Sequence, residues 1–325
     1  MRSTSARFKL VSAVAVTAAA AAFSGIAAAS GGAAEPSAGQ APAAAAAGPV
    51  GFGAGTTGGA GGSTVTVSDT AAFIDAVQSD GPLTVRVDGT VDLDEMTKVS
   101  SDKTVVGVGT AGKITGSGLN LSKVSNVIIQ NLSFSGSNDD AINVQYSTRV
   151  WIDHNDISGA EDGALDIKRA SDEITVSWNR SHDQDKNMLL GHSDDNGGED
   201  SGKLRVTYVH NWFDGTNQRN PRVRFGNPVH VLNNYFSDIG SYGVASTEGA
   251  GVLVEANHFE NTEDPFHLGE ADSGPGSIKA VGNKFTNSGA GETGGSVAGV
   301  PYSYSADSAE SVKSIVTAGA GVGKI

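Results

Sequence analysis

The chain has 325 residues, with 36 acidic against 22 basic side chains for a formal charge of −14, no cysteine and 44 glycines. That charge argues against a nucleic-acid binder, which is normally basic to neutralise phosphates. The absence of cysteine excludes a disulfide scaffold, thiolate catalysis and thiolate-held zinc or iron–sulfur sites.

Taken in chain order, Arg2, Arg7 and Lys9 precede an apolar stretch from Leu10 to Phe23, followed by Ala27-Ala28-Ala29. This is the pattern of a secretory signal over residues 1–29, too short for a membrane helix, which needs ~20 apolar residues. Its removal takes away three basic and no acidic residues and leaves a mature charge near −17. An extracellular, soluble protein is expected. Residues 30–62 are rich in Gly, Ala, Ser and Pro with almost no charge, which reads as a flexible leader ahead of a domain over residues 63–325. Ser68-Asp69-Thr70 before Ala71-Ala72-Phe73-Ile74-Asp75-Ala76-Val77 reads as an N-capped helix able to plug one end of the fold. A second helix is expected from Asp307-Ser308-Ala309 to Ile315-Val316.

Between these helices one phrase recurs: alternating apolar residues, then Asn, then an apolar or aromatic residue. Examples are Val127-Ile128-Ile129-Gln130-Asn131-Leu132-Ser133-Phe134 and Val206-Thr207-Tyr208-Val209-His210-Asn211-Trp212-Phe213. Asn131, Asn155, Asn179, Asn211, Asn234, Asn257 and Asn283 follow at intervals in the twenties, with one longer gap between Asn179 and Asn211. A strand pattern with that period is the signature of a solenoid whose turns stack on one another. The expected fold is therefore all-β, a right-handed single-stranded parallel β-helix with capping helices. The asparagines are placed at bends, where Asn tolerates left-handed geometry and its amide can bond the next turn. The long gap marks an inserted loop holding Asp185-Lys186, Gly191-His192-Ser193-Asp194 and the acidic run to Asp200.

Three clusters could carry chemistry. Asp139-Asp140 and, about one turn later, Asp162-Gly163-Ala164-Leu165-Asp166 would stack carboxylates on one face. Hard cations such as Ca²⁺ want such oxygen ligands, whereas a solvated acidic face with Lys168 and Arg169 as neighbours fits the spacing equally well. Arg219-Asn220-Pro221-Arg222-Val223-Arg224 concentrates three arginines into a local anion site, with Arg222 and Arg224 on one strand face and Arg219 beyond the proline bend. Lys186 is a further cation in the inserted loop. In Trp151-Ile152-Asp153-His154, strand alternation turns Asp153 and His154 to opposite sides, which favours separate structural hydrogen bonds over a catalytic pair.

Together these motifs resemble polysaccharide lyase family 1, the extracellular pectate lyases of the bacterial type. The resemblance spans residues 64–325 and rests on Val105-Val106-Gly107-Val108-Gly109-Thr110, Asp140-Ala141-Ile142, Trp151-Ile152-Asp153-His154, Asp162-Gly163-Ala164-Leu165-Asp166-Ile167-Lys168, Gly191-His192-Ser193-Asp194 and Arg219-Asn220-Pro221-Arg222-Val223-Arg224-Phe225-Gly226. It implies a Ca²⁺-dependent β-elimination on polygalacturonate (pectate) of plant cell walls. Asp140, Asp162 and Asp166 fall on calcium-ligand positions, Arg219 on the proposed base, and Lys186 and Arg224 on substrate-binding positions. Guanidinium gives up a proton reluctantly, so neighbouring cations and alkaline conditions would assist such a base, and an alkaline activity optimum is expected. The family often has His where this chain has Gln184, ahead of Asp185-Lys186. A polygalacturonase-type hydrolase using Asp139, Asp140 and His192, and a non-catalytic polysaccharide-binding solenoid, are the alternatives. A monomer without nucleic-acid or membrane partners is expected.

Overall fold

A computed structural model describes residues 48–325; the signal-like segment and the leader up to residue 47 lie outside the described residues. The apolar positions of the repeat form three parallel sheets in which each strand pairs with its equivalents one turn before and after. Ten strands, from Ser63–Val67 to Ser277–Val281, make the long sheet, and nine, from Thr90–Asp92 to Lys284–Thr286, make the middle sheet. Eight make the groove sheet, in chain order Thr97–Lys98, Leu119–Ser122, Ile142–Gln145, Gly163–Lys168, Lys186–Leu190, Arg222–Arg224, Val244–Thr247 and Phe266–Leu268. Every turn contributes one strand to each sheet in the body of the molecule, which is the expected parallel β-helix.

Register explains why the repeat works. Val150 lies between Val127 and Ile174 on neighbouring turns, and all three are fully buried. On the middle sheet Phe213, Phe236, Phe259 and Phe285 stack ring on ring with centroids 4.6, 4.3 and 5.6 Å apart. Such pairs add ~0.5–1.5 kcal/mol each beyond the area they bury. At the turn between the long and middle sheets, the carboxamides of Asn155, Asn179, Asn211, Asn234, Asn257 and Asn283 form a continuous ladder. Each side-chain oxygen accepts both the backbone and side-chain N–H of the preceding rung at 2.8–3.1 Å.

Two details of the ladder differ from the sequence reading. The left-handed residue is the one before each rung: His154, Trp178, His210, Asn233 and Ala256 have φ between 50° and 56°. Asn131 is such a left-handed residue, and its amide donates to the carbonyls of Gly107 and Gly109. The rung of that turn is Leu132, whose N–H donates to the Asn155 side chain. The same bend breaks strand alternation, so Asp153 and His154 do not diverge. His154 Nδ1 lies 2.6 Å from Asp153 Oδ2, while Asp153 also accepts from Ser177 Oγ and Gln130 Nε2. His154 then stacks on Trp178, and Trp178 on His210. The expected separate hydrogen bonds on opposite sides are thereby corrected: the two side chains bond one another directly.

The helix Thr70–Gln78 starts after Asp69, whose carboxylate accepts the Ala72 N–H, and buries Phe73 and Val77 in the main core as the plug of the first turns. The helix Ala309–Gly319 buries Val312 and Val316 against Tyr235 and Trp212, so it covers the flank of the middle sheet. Asp307, ahead of it, bonds Asn233 through its backbone and His210 through its carboxylate. The expectation of a flexible leader to residue 62 is corrected for its described part. Residues 51–59 lie as a strap across the outer face of the long sheet, Phe52 and Gly53 donating to the hydroxyls of Thr207 and Thr175, Gly58 to the side-chain oxygen of Asn126, and Gly59 to the hydroxyl of Thr104. Just past the strap glycine is needed for close approach: a Cβ on Gly62 would stand 1.8 Å from the Pro82 carbonyl oxygen.

Candidate functional site

The polar outer face of the groove sheet gathers the candidate residues. Along one row, register places Asn120, Asn143, Asp166, Leu189, Arg222, Ala245 and His267 side by side on successive turns. At the strand entrances, Gly163 pairs with Lys186 and Lys186 with Gln218, the residue before Arg219.

Asp140 stands just before its strand, nearly buried, with Oδ1 accepting the Gly163 N–H at 2.9 Å. Carboxylate oxygens of Asp139, Asp140 and Asp162 lie within 4.8 Å of one another, so the acidic stacking expected from the period is present, and Asp139 belongs to it. Asp166 faces the same space from the next row, and Lys168 Nζ joins it to Asp140, donating at 3.1 Å to Asp166 Oδ2 and 3.3 Å to Asp140 Oδ2. Lys186 Nζ donates to Asp162 Oδ1 at 2.8 Å.

The electrostatics follow from this packing. Burial, reinforced by Asp166, pushes the Asp140 carboxyl up to about 7 against the pull of Lys168. Burial raises Asp166 as well, whereas the Lys186 hydrogen bond holds Asp162 below the usual carboxylate range. Burial works against the charge on Lys168, but Asp166 and Asp140 together raise its ammonium above the ordinary lysine value. One ammonium is thus shared between two crowded carboxylates, which leaves the trio with an excess of negative charge.

Three observations test whether a divalent cation fits. The donor set is oxygen only, as hard cations require. Asp166 Oδ1 is buried without a hydrogen-bond partner among the described residues. A Cβ on Gly163 would stand 2.6 Å from Asp166 Oδ1 and 2.9 Å from Asp140 Oδ1, so only glycine leaves the space between these oxygens open. The residues fit a hard divalent cation.

Arg219 is half-buried, sits in left-handed geometry at φ 61°, and leads into the cis Asn220–Pro221 peptide. Its charge reaches both carboxylates, adding to the Lys186 hydrogen bond that holds Asp162 low and opposing the burial that raises Asp166. Beneath it, the buried amide of Asn220 accepts from Asn187 Nδ2 and Thr216 Oγ1 at 2.8 Å and donates to the Tyr242 carbonyl. Arg222 and Arg224 share a strand as expected. Arg222 donates to the Glu270 carbonyl and Ser273 Oγ. Arg224 donates to Asp194 Oδ1 at 2.6 Å and to the Gly191 carbonyl, and Asp194 also accepts from Ser273 Oγ. The inserted loop is thereby pinned to the groove, with the Asp194 carboxyl held low by Arg224.

Sequence reasoning missed the centrality of Lys168, treated only as a basic neighbour. It also missed Gln184, which is buried and donates to the carbonyls of Ala160, Asp162 and Lys186 while accepting the Ala160 N–H. It ties the Asp162 segment to the Lys186 segment across two turns, and a lone polar residue ahead of Asp-Lys carried no signal for that.

The chain is similar to known proteins over most of its length. The pectate lyase family pattern matches residues 12–325. A pectate trisaccharide-lyase of Bacillus licheniformis is 37% identical over 284 residues, covering 81% of this chain and 82% of its own length. A probable pectate lyase A of Neosartorya fischeri is 39% identical over 262 residues, covering 77% and 80%. Among solved structures, a Bacillus sp. N165 pectate lyase in complex with trigalacturonate superposes with a TM-score of 0.74 at 33% identity, over 85% of this chain and 99% of that one. Pectate lyase II of Xanthomonas campestris gives 0.73 at 27% identity over the same shares. The chain belongs to the pectate lyase family, of the polysaccharide lyase family 1 type.

Proposed function

We propose that this pectate lyase is a secreted, calcium-dependent enzyme that cleaves α-1,4-linked polygalacturonate by β-elimination, releasing 4,5-unsaturated oligogalacturonides. The observation that carries the reading is the juxtaposition, on one sheet face, of an oxygen-only carboxylate cluster with Lys186, Arg219 and Arg224. The trigalacturonate held by the Bacillus sp. N165 lyase supports the same substrate class. Export is supported by the signal pattern of residues 1–29.

Asp140, Asp162 and Asp166 would hold the ion, with the exposed Asp139 carboxylate close enough to Asp140 and Asp162 to contribute. When bound, Ca²⁺ supplies positive charge next to the uronate carboxylate, which stabilises the negative charge that develops as the C5 proton leaves. Arg219 takes that proton, the C5–H electron pair becomes the C4–C5 double bond, and the C4–O bond breaks with the leaving oxygen protonated from solvent. Lys186 and Arg224 bind uronate carboxylates, Lys186 by exchanging its partner Asp162 for substrate. Asp194, by holding Arg224, keeps that guanidinium at the groove wall.

A hydrolase of the inverting type needs two carboxyl groups ~6.5–9.5 Å apart to admit a water. Asp139 and Asp140 present oxygens within 4.8 Å, which suits a shared cation better. The test is incubation with polygalacturonate, with and without a calcium chelator, followed by ultraviolet absorbance. Conjugated unsaturated uronides formed only with calcium are expected. Reducing ends without absorbance would mean a hydrolase, and neither signal a binder.

A further inference from the structure

We propose that the rim where the groove strands end carries an accessory subsite for the polyuronate chain, built from Lys123, Tyr146 and Arg169, which grips sugar units beyond those undergoing elimination. The inference rests on the polygalacturonate reading and extends it from the bond cleaved to the length of chain held.

Register aligns the three residues. Gln145 pairs with Ser122 on one side and Lys168 on the other, and the next residues of these turns are Tyr146, Lys123 and Arg169. The Lys123 N–H donates to the Gln145 carbonyl and the Tyr146 N–H to the Arg169 carbonyl. All three adopt the same corner, with φ of 58°, 52° and 53°, so they form one column along the rim. The column one residue inward continues from Ser122, Gln145 and Lys168 through Gly191 to Arg224. A chain whose carboxylate is held by Arg224 and that follows the groove therefore passes Lys168 and then meets Tyr146 and Lys123. At the ~4.8 Å spacing of neighbouring strands, Tyr146 lies roughly 14 Å along the groove from Arg224, about the length of three pyranose units.

The side chains suit that occupant. Tyr146 is 38% exposed, and Lys123 Nζ stands over its ring, 5.8 Å from the centroid. The ring steadies the ammonium without neutralising it. Acidic side chains outnumber basic ones 36 to 22, and other cations of this fold are closed by them: Arg180 by Asp214, Arg205 by Asp172 and Lys313 by Glu260. Among the described residues Lys123 forms no ion pair, and Arg169 meets only Glu199, at 3.9 Å. Two cations with charge to spare flank an exposed ring. A polyuronate matches both features, offering carboxylates at regular intervals to the cations and the C–H faces of its pyranose rings to the aromatic. One exposed ion pair is worth little, but a chain already held at Arg224 engages the rim intramolecularly, which multiplies the effect of weak contacts. Arg149 is also exposed, yet it belongs to the following long-sheet strand, donates to Ser125 Oγ and lies off this column.

The test measures KM on polygalacturonate with calcium, from ultraviolet absorbance, beside the Kd of trigalacturonate, which is too short to fill the cleavage site and the rim together. In the double variant Lys123→Gln, Tyr146→Ala, KM on the polymer is expected to rise about tenfold. Its kcat, trigalacturonate Kd and melting temperature should stay at wild-type values. Lys123→Gln alone should raise KM roughly threefold, Lys123→Arg should restore it, and Arg149→Gln should leave it unchanged. A wild-type polymer KM in the double variant would overturn the subsite, as would an equal loss of trigalacturonate affinity. A matching KM rise in Arg149→Gln would overturn it in favour of diffuse attraction to positive charge, and a KM rise that tracks a lowered melting temperature in both Lys123→Gln and the double variant would overturn it in favour of a structural role. A wild-type enzyme that forms no unsaturated uronide with calcium would instead remove the polygalacturonate reading itself, before any variant is compared.

Discussion

At the turn between the long and middle sheets one side chain repeats six times, from Asn155 to Asn283, and each rung is bonded to the next. On the groove sheet, successive turns place Asn143, Asp166, Leu189, Arg222, Ala245 and His267 at one structural position. The first region repeats and satisfies itself. The second repeats only in its backbone, and it collects two crowded carboxylates with raised values, an unpartnered Asp166 oxygen and a left-handed Arg219. The same rung of β-helix can therefore be spent on stability or on chemistry, and the difference lies wholly in whether a side chain matches the copies above and below.

That division can be broken from either side. The largest effect is expected from Asp140→Asn: activity should drop at least about a thousandfold, the scale on which charge stabilisation by a bound cation acts. Its melting temperature without calcium should change little, because the amide oxygen still accepts the Gly163 N–H and the removal of a buried like-charge contact with Asp166 offsets the lost 3.3 Å contact with Lys168. A variant that unfolded instead would place Asp140 among the structural residues.

The converse is Asn211→Ala in the ladder. It deletes four hydrogen bonds, from Asn179 N and Nδ2 and to Val176 O and Asn234 Oδ1. Asn179 Nδ2 keeps the Ile152 carbonyl and Asn234 Oδ1 keeps the Asn211 N–H, so the Asn179 N–H is the donor left bare; one such buried group costs ~1–3 kcal/mol, which urea unfolding should show, with kcat of the folded fraction unchanged. Gly62→Ala should be milder. Its methyl would meet the Pro82 carbonyl, and overpacking of that kind costs roughly 1–3 kcal/mol, read by calorimetry as loosening of the strap without kinetic change.

The smallest effect belongs to His267, whose imidazole is held above its ordinary value by Asp264 and then Glu270. A raised histidine contributes its full stability below the unfolded value of about 6.5 and loses it as pH rises through the folded one. His267→Gln should therefore cost roughly 1 kcal/mol or less at pH 5–6, and the gap to wild type should close under alkaline conditions. A gap that widened with pH would contradict the ion pair.

The apolar repeat was legible because its signal is local and cumulative: Val127, Val150 and Ile174 occupy one inward column, and each turn restates the pattern. The period also brought Asp140, Asp162 and Asp166 to one face. What escaped depends on contacts between distant turns. Asn131 looked like a ladder rung because asparagine suits both the left-handed corner and the rung beside it; only strand register separates the two. The glycine-rich strap resembled disorder because its acceptors, Thr104, Thr175 and Thr207, lie 45 to 155 residues away. Lys168 read as a surface neighbour until register set it between two buried carboxylates.

The central claim is that the groove, with Arg219 as its base, performs a calcium-assisted elimination. The most direct test is the turnover of Arg219→Ala on polygalacturonate at saturating calcium and alkaline pH, with binding measured in parallel. Loss of a positioned general base costs roughly a hundredfold to ten-thousandfold, so the account predicts a kcat lowered by that factor with calcium-dependent binding retained. Turnover equal to wild type, with the same unsaturated product, would contradict it.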